Sequence, residues 1–250
     1  SIVIPTVDAE LRPLAAARRS FEDAGIGLML PPEHALSVTL DKLALARTCD
    51  GVVTVPRTEL LSEELSPDEW TYPVIVKPRT GSGSRDITAI VSAEELKTMG
   101  PSPDFIVQEY LPGEEYSIDM LADARGRVVA GVPRVRARVD SGVSVAGRTL
   151  HDRELEQLGA SVATAAGLTY IANIQVRRDD TGRPALLEVN PRAPGSLSLT
   201  VASGVDMPRL ALDSMRGREL PEHAEFCEKA MVRFLDERFL DPSEIAQAAS

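Results

Sequence analysis

Two apolar runs, YIANIQVRRD (170–179) and PALLEVN (184–190), flank the short segment DTGR, and no other pattern constrains the chain more. Strand-like runs on either side of a glycine-containing turn read as a β-hairpin. Side chains along a strand alternate between faces. Glu188, Asn190 and, if the pattern holds that far, Arg192 therefore share one face, while Leu187 and Val189 take the other, inward. Oxygen ligands followed by a guanidinium suit a hard cation carrying phosphate. A solvated strand edge before a turn is the plainer alternative, and this stretch by itself does not choose between them.

The hairpin has company. From 104 to 139 the chain is rich in strands, DFIVQEYL, EEYSIDMLAD and RVVAGVPRVRARV, with turns at Pro112–Gly113 and Ala124–Gly126. HDRELEQLGASVATAAG has the spacing of an amphipathic helix that ends at Gly167. Upstream, YPVIVKP is a buried strand ending in Lys77, RTGSGSRD a small loop, ITAIV a strand, and Ser92 with Glu95 a capping box for AEELKTM. Residues 1–30 read strand, helix, strand, like the tail of an open α/β sheet. Within them Pro13 fits only a first helical turn, and Gly25 caps the helix. LDKLALARTC is a short helix with Asp41 near its start, the segment 51–69 contains a linker and a helix, and helices follow near 197–203 and 206–217. Residues 221–250 mix helix and strand.

Composition excludes more than it identifies. A chain of 250 residues, 43% hydrophobic, can build a full core in one large or two small domains. A net charge of −11 argues against broad binding to nucleic acid or anionic membranes, though not against a local basic cleft. Cys49 and Cys227 form no metal or redox spacing, so a reducing, cytoplasmic setting is expected. No apolar run approaches the length of a membrane span. The chain opens on SIVIP, already a strand, without an initiator Met, which leaves open whether a segment upstream is missing.

Familiar nucleotide and hydrolase signatures are missing. There is no Gly-Lys pair and hence no P-loop, and GSGSRD puts Asp86 where a dinucleotide fingerprint needs its third glycine. His34, His151 and His223 are scattered as surface or cap residues. Of the 27 basic residues only Lys42, Lys77, Lys97 and Lys229 are lysines. In an arginine-rich chain, a lysine at a helix start (Lys42) and another at a strand end before a Gly/Ser loop (Lys77) draw notice, although an ordinary surface lysine is the alternative at each.

In order and spacing, these two lysines, the Gly/Ser loop, QEYLPGEEYS, and the hairpin with Gln175, Glu188 and Asn190 resemble the ATP-grasp superfamily, particularly its carbamoyl-phosphate-synthase-like branch, over roughly residues 3–217. The resemblance implies α/β and α+β architecture: an ATP-grasp fold of two α+β subdomains gripping ATP, preceded by a partial Rossmann-like domain. The expected divisions are 1–40 for that partial domain, 41–111 for the first ATP-grasp part, 112–220 for the metal-bearing subdomain, and 221–250 for an extension.

The resemblance also implies roles. Lys42 and Lys77 would contact phosphate, each as a compact charge. Gly81, Ser82, Gly83 and Ser84 would lie over the triphosphate, where glycine lets backbone N–H groups approach. Backbone groups at Glu109, Tyr110 and Leu111 would meet the adenine edge, with Gln108 at its exocyclic amine. Glu115 would hold the ribose hydroxyls, the motif spacing favouring it over Glu114. Glu188 would bridge two Mg²⁺ ions, or Mn²⁺ in their place, with Gln175 on one and Asn190 on the other. Arg192, together with Lys77, would act on the transferred phosphoryl group. Arg134 and Arg136 alternate along a strand with Arg138 and could take a substrate carboxylate, a solvated edge strand being the alternative.

The leading expectation is an ATP-dependent carboxylate–amine ligase working through an acyl phosphate on small-molecule substrates, with no nucleic-acid or membrane partner and a homodimer as a compatible assembly. The rivals are phosphorylation of bicarbonate or carbamate and a nucleotide-binding regulatory module without turnover. The residues before Lys42 build less of a parallel sheet than the family usually has.

Overall fold

The protein is described by a computed structural model covering residues 1–81, 86–140, 143–234, 236, 237 and 239–241. At its start β1 (Ile2–Val3) pairs in parallel with β2 (Gly27–Leu28), and α1 (Asp8–Ala16) and α2 (Arg18–Asp23) lie between them. The single helix expected here is two. Pro13 sits inside α1 rather than in its first turn, and the helix ends one turn later at Ala17 (φ −89°, ψ 3°) before α2 begins. Gly25 closes α2 at φ +66°, a conformation that favours glycine. Leu11, Leu28, Leu30 and Leu36 bury together beneath these elements.

After α3 (Glu33–Thr39), Asp41 starts α4 (Lys42–Cys49) by accepting hydrogen bonds from the N–H groups of Leu43 and Ala44. The segment expected to hold a helix instead forms β3 (Thr58–Leu60) and a 3₁₀ turn at Pro67–Glu69. Tertiary packing overrides its helical composition, since Leu61 and Trp70 are drawn into a core under the second sheet. That sheet runs in the order β3, β6 (Phe105–Glu109), β4 (Val74–Pro78), β5 (Thr88–Ile90). Ser92 Oγ caps α5 (Ala93–Thr98) at Glu95 N, and Glu95 returns a bond to Val91 N.

The third sheet carries the rest. β7 (Glu115–Ala122), β8 (Val128–Asp140), β9 (Val143–Thr149), β10 (Tyr170–Arg178), β11 (Pro184–Asn190) and β12 (Ala230–Val232) run antiparallel in the order β11, β10, β7, β8, β9, β12. Neither β9 nor the placement of β12 against it was anticipated. One face packs Tyr116, Ile118, Met120, Ala172, Ile174 and Val176 against α6 (Arg153–Ala165) and against Leu45 and Cys49 of α4. The other face is divided along its strands. Leu121, Val132 and Ile171 are covered by Leu197 of α7 (Leu197–Ala202) and by Met207 and Ala211 of α8 (Met207–Met215). Two to six residues along the same strands, this face turns polar, with Glu115, Ser117, Asp119, Asn173, Gln175 and Arg177 in register. Period-two alternation thus gives one surface that is core at one end and site at the other.

Candidate active site

The hairpin places its polar groups as the alternation predicts, with one amendment. Across the β10–β11 ladder Gln175 lies opposite Glu188, and Asn173 opposite Asn190. Between those pairs and the next, Val176 with Leu186, the register shifts by one residue. Leu187 is the extra residue, so Leu186 enters the core in its place while Leu187 borders the site. Gln175, Glu188 and Asn190 line a cavity of about 630 Å³ between the two larger sheets. The Asn190 amide nitrogen is 3.3 Å from Glu188 Oε1. Three side-chain oxygen donors with a single carboxylate suit a hard cation that takes its remaining ligands from phosphate and water. Among the described residues no group of three or more His, Cys, Asp or Glu side chains could hold a metal by itself.

Both lysines line the same cavity. Lys42, at the first turn of α4, donates to Gly81 O at 2.8 Å and stands 4.0 Å from Glu188 Oε2. Lys77, on β4, is 6% exposed. Burial, reinforced by the charge of Lys42, lowers its pKa to about 8, against the pull of Glu188 and Glu115. A backbone bond from Lys42 N to Arg79 O (2.9 Å) joins the two elements. Asp41 accepts from Arg79 Nε at 2.9 and 2.8 Å and from Nη2 at 2.6 Å. Burial pushes the Asp41 carboxyl up, but Arg79 and the two backbone donors outweigh it and hold the carboxyl below its ordinary range. Gly81 takes φ +100° at the cavity wall. Ser82, Gly83 and Ser84 lie outside the described residues.

The far end is built from β6 and the turn after it. Gln108, Glu109, Tyr110, Leu111 and Glu115 all line the cavity. Gln108 is buried and donates to Thr58 Oγ1 at 2.8 Å, and Glu109 accepts from Arg57 N at 3.1 Å. Glu114 does not line the cavity, because its carboxylate accepts from the Tyr116 hydroxyl at 2.5 Å. Arg177, unforeseen in the sequence, also borders this end. It donates to Gly113 O at 2.8 Å and sits 5.9 Å from the centre of the Tyr110 ring.

Three arginines lie elsewhere. Arg134 is 1% exposed and sealed in a network. It forks onto Asp119 at 2.9 and 2.7 Å and donates to Ser196 Oγ at 2.8 Å, while Asn173 and Thr200 complete the Asp119 carboxylate. Its charge is committed to Asp119 outside the cavity lining, which counts against its place in the expected substrate set, and β8 is central in the sheet rather than the edge strand of the alternative. Arg136 pairs with Glu115 at 3.0 Å and is also absent from the cavity lining. Arg192 lies beyond the end of β11 and outside the lining, with its guanidinium forked onto Asp8 at 2.8 and 2.5 Å. Asp8 and Arg12, one helical turn apart on α1, form the cavity wall there. A first-turn acidic residue on an otherwise unremarkable helix gave no sequence signal for this.

The profile of a family described as "ATP-grasp in the biosynthetic pathway with Ter operon" matches residues 101–237, more than half the chain. The carbamoyl phosphate synthase large chain of Thermoanaerobacter sp. (strain X514) is 27% identical over 189 residues, an alignment covering 69% of this chain and 17% of that one. Among solved structures, a biotin carboxylase–β,γ-ATP complex from Campylobacter jejuni superposes with a TM-score of 0.77 at 16% identity, covering 90% of this chain and 57% of that one. The biotin carboxylase domain dimer of the Hydrogenobacter thermophilus 2-oxoglutarate carboxylase, in complex with MgADP, ADP and bicarbonate, gives 0.74 at 20% identity, covering 88% and 54%. These structural likenesses show the ATP-grasp fold. The chain spans about a sixth of the synthase chain and little more than half of either carboxylase chain.

Proposed function

This chain belongs to the ATP-grasp family, and from that premise we propose that it is an ATP-dependent carboxylate–amine ligase. The observation that carries the reading is one cavity with Gln175, Glu188 and Asn190 on its sheet floor and Lys42 and Lys77 beside them. Lys77 holds the phosphates from a buried position, and Lys42 reaches them from the start of α4. The chain from Gln108 to Leu111 receives the adenine, with Arg177 and Tyr110 flanking it, and Glu115 takes the ribose hydroxyls. Mg²⁺ held by Gln175, Glu188 and Asn190 would neutralise the phosphate charge that builds up during in-line transfer.

In this reading an oxygen of the substrate carboxylate attacks the γ-phosphorus of ATP. The bond to the bridging oxygen breaks and ADP leaves. An amine then attacks the carbonyl carbon of the acyl phosphate, loses a proton, and inorganic phosphate departs. A second reading, phosphorylation of bicarbonate or carbamate, draws support from the synthase relative and from the bicarbonate in the carboxylase domain. The test is ADP release from Mg²⁺-ATP over a panel of carboxylate and amine pairs that includes bicarbonate. ADP formed only with a carboxylate, and a hydroxamate formed when hydroxylamine replaces the amine, supports the ligase. Release of AMP and pyrophosphate overturns the acyl-phosphate step. ADP formed with bicarbonate alone favours the second reading.

A further inference from the structure

We infer that Asp41 and Arg79 are positioning residues whose ion pair sets the separation of Lys42 and Lys77, and so the site's selectivity for the triphosphate over the nucleoside. The inference rests on the reading of those lysines as phosphate contacts. The two lysines come from different bodies of the fold. Lys42 opens α4, which packs through Leu45 and Cys49 under the six-stranded sheet. Lys77 lies on β4 within the four-stranded sheet, next to Val76 of that sheet's own core. Two like charges brought to one cavity repel, and the charge of Lys42 does depress the proton affinity of Lys77. Something must therefore fix the two bodies together where the lysines leave them.

The contacts at that seam do so. Asp41 is the residue before Lys42, and Arg79 is two residues after Lys77. Their fork is bidentate, with a shortest distance of 2.6 Å, and the Asp41 side chain is only 14% exposed. The same Asp41 carboxylate orients α4 by accepting from Leu43 N (3.0 Å) and Ala44 N (3.1 Å). Lys42 N to Arg79 O (2.9 Å) runs alongside. A planar guanidinium against a carboxylate fixes direction as well as distance, which a lysine in place of Arg79 would not do. Neither Asp41 nor Arg79 lines the cavity, so their effect on a ligand passes through the lysines.

Asp41→Asn separates the two duties of this side chain. Asparagine is as good a helix N-cap as aspartate, so α4 keeps its start while the ion pair is lost. Affinities for ATP and for adenosine are measured on the full chain for Asp41→Asn, Arg79→Lys, Arg79→Met and the Asp41→Asn/Arg79→Met pair, with Lys77→Ala as the reference. The expected result is a loss of about tenfold for ATP with adenosine changed by less than about twofold, since a charge-assisted pair is of that order. The double variant should be no worse than either single one, as for partners in one interaction. A fall in thermal stability with the ATP-to-adenosine ratio unchanged would make the pair merely structural and overturn the inference. If Lys77→Ala itself leaves that ratio unchanged, the phosphate reading fails and takes the inference with it. If Lys77→Ala alters the ratio and the Asp41 and Arg79 variants do not, only the inference falls.

Discussion

The ammonium of Lys42 stands 4.0 Å from the carboxylate of Glu188 while donating to the carbonyl of Gly81 at 2.8 Å. A helix start, a sheet hairpin and the edge of the Gly/Ser loop therefore meet at one lysine. In the ligand-free chain each charge offsets the other across the cavity. On the proposed function, a triphosphate with its divalent cation would offer both a replacement, phosphate oxygens for Lys42 and a metal for Glu188.

The first prediction follows from that pairing. Glu188→Gln keeps the size of the side chain and removes its charge. It should lower ADP release by at least about a hundredfold, as loss of a preorganised charge contact does, while adenosine binding stays near the parent value. Steady-state ADP release and an adenosine titration measure the two. Equal damage to both would show that Glu188 supports the fold instead.

The second concerns Lys77. Its pKa is about 8 in the folded chain against an ordinary 10.5, so between those values the unfolded chain binds a proton that the folded one lacks. Stability contributed by this group rises with pH across that window and is lowest below it. Lys77→Met should abolish the rise and stabilise the ligand-free protein at neutral pH, as read by urea unfolding from neutral to alkaline pH. Phosphate oxygens should restore the charge, so ATP binding at about pH 9 should take up a proton. Calorimetry in buffers of different ionisation enthalpy would detect it, and an uptake unchanged in Lys77→Met would refute the assignment.

The third addresses the polar network behind the site. Asp119 is fully buried with Arg134, Asn173 and Thr200 upon it. Asp119→Asn strands the Arg134 charge and should cost about 3–5 kcal/mol. Replacing both members, Asp119→Leu with Arg134→Met, should recover much of that loss. Denaturant midpoints decide it, and a single-variant cost below about 1 kcal/mol would contradict the picture of a sealed pair.

The fourth lies at the adenine end. A Cβ on Gly113 would stand 2.5 Å from Arg178 O and 2.8 Å from Arg178 Cβ. Gly113 O also holds Arg177. Gly113→Ala should therefore cost about 1–3 kcal/mol by overpacking and weaken adenosine more than pyrophosphate. If pyrophosphate weakens as much as adenosine, the displacement is not confined to the adenine end.

Local patterns were legible in the sequence. Alternation placed Gln175, Glu188 and Asn190 on one face, and the caps Asp41 and Ser92 announced their helices, because each depends on neighbours within a few residues. Contacts between remote segments were not. Asp8 meets Arg192 across 184 positions, and nothing around either residue records the other. Arg134 read equally as a substrate contact or as part of a solvated edge strand, yet its guanidinium is buried on Asp119 and β8 has a neighbour on both sides. The available clue was Asp119 itself, a lone acidic residue in the apolar run YSIDML, since a charge in such a strand requires a buried partner.

The bulge at Leu187 has a consequence for kinship. It sets the hydrophobic beat and the polar beat of β11 one residue out of step, so the position that supplies the carboxylate is counted differently from either end of the strand. A homologue without the additional residue keeps Leu186 opposite Val176 and the acidic group opposite Gln175 in unbroken alternation, whereas one that kept the residue but lost the bulge would turn the acidic group to the core side. At identities near 27%, a one-letter gap opened at this point would trade Glu188 for a leucine in the alignment column. The wedge of a single side chain thus serves as a phase marker: a homologue with a strand of the same length and the carboxylate on the same face must carry the same shift in register.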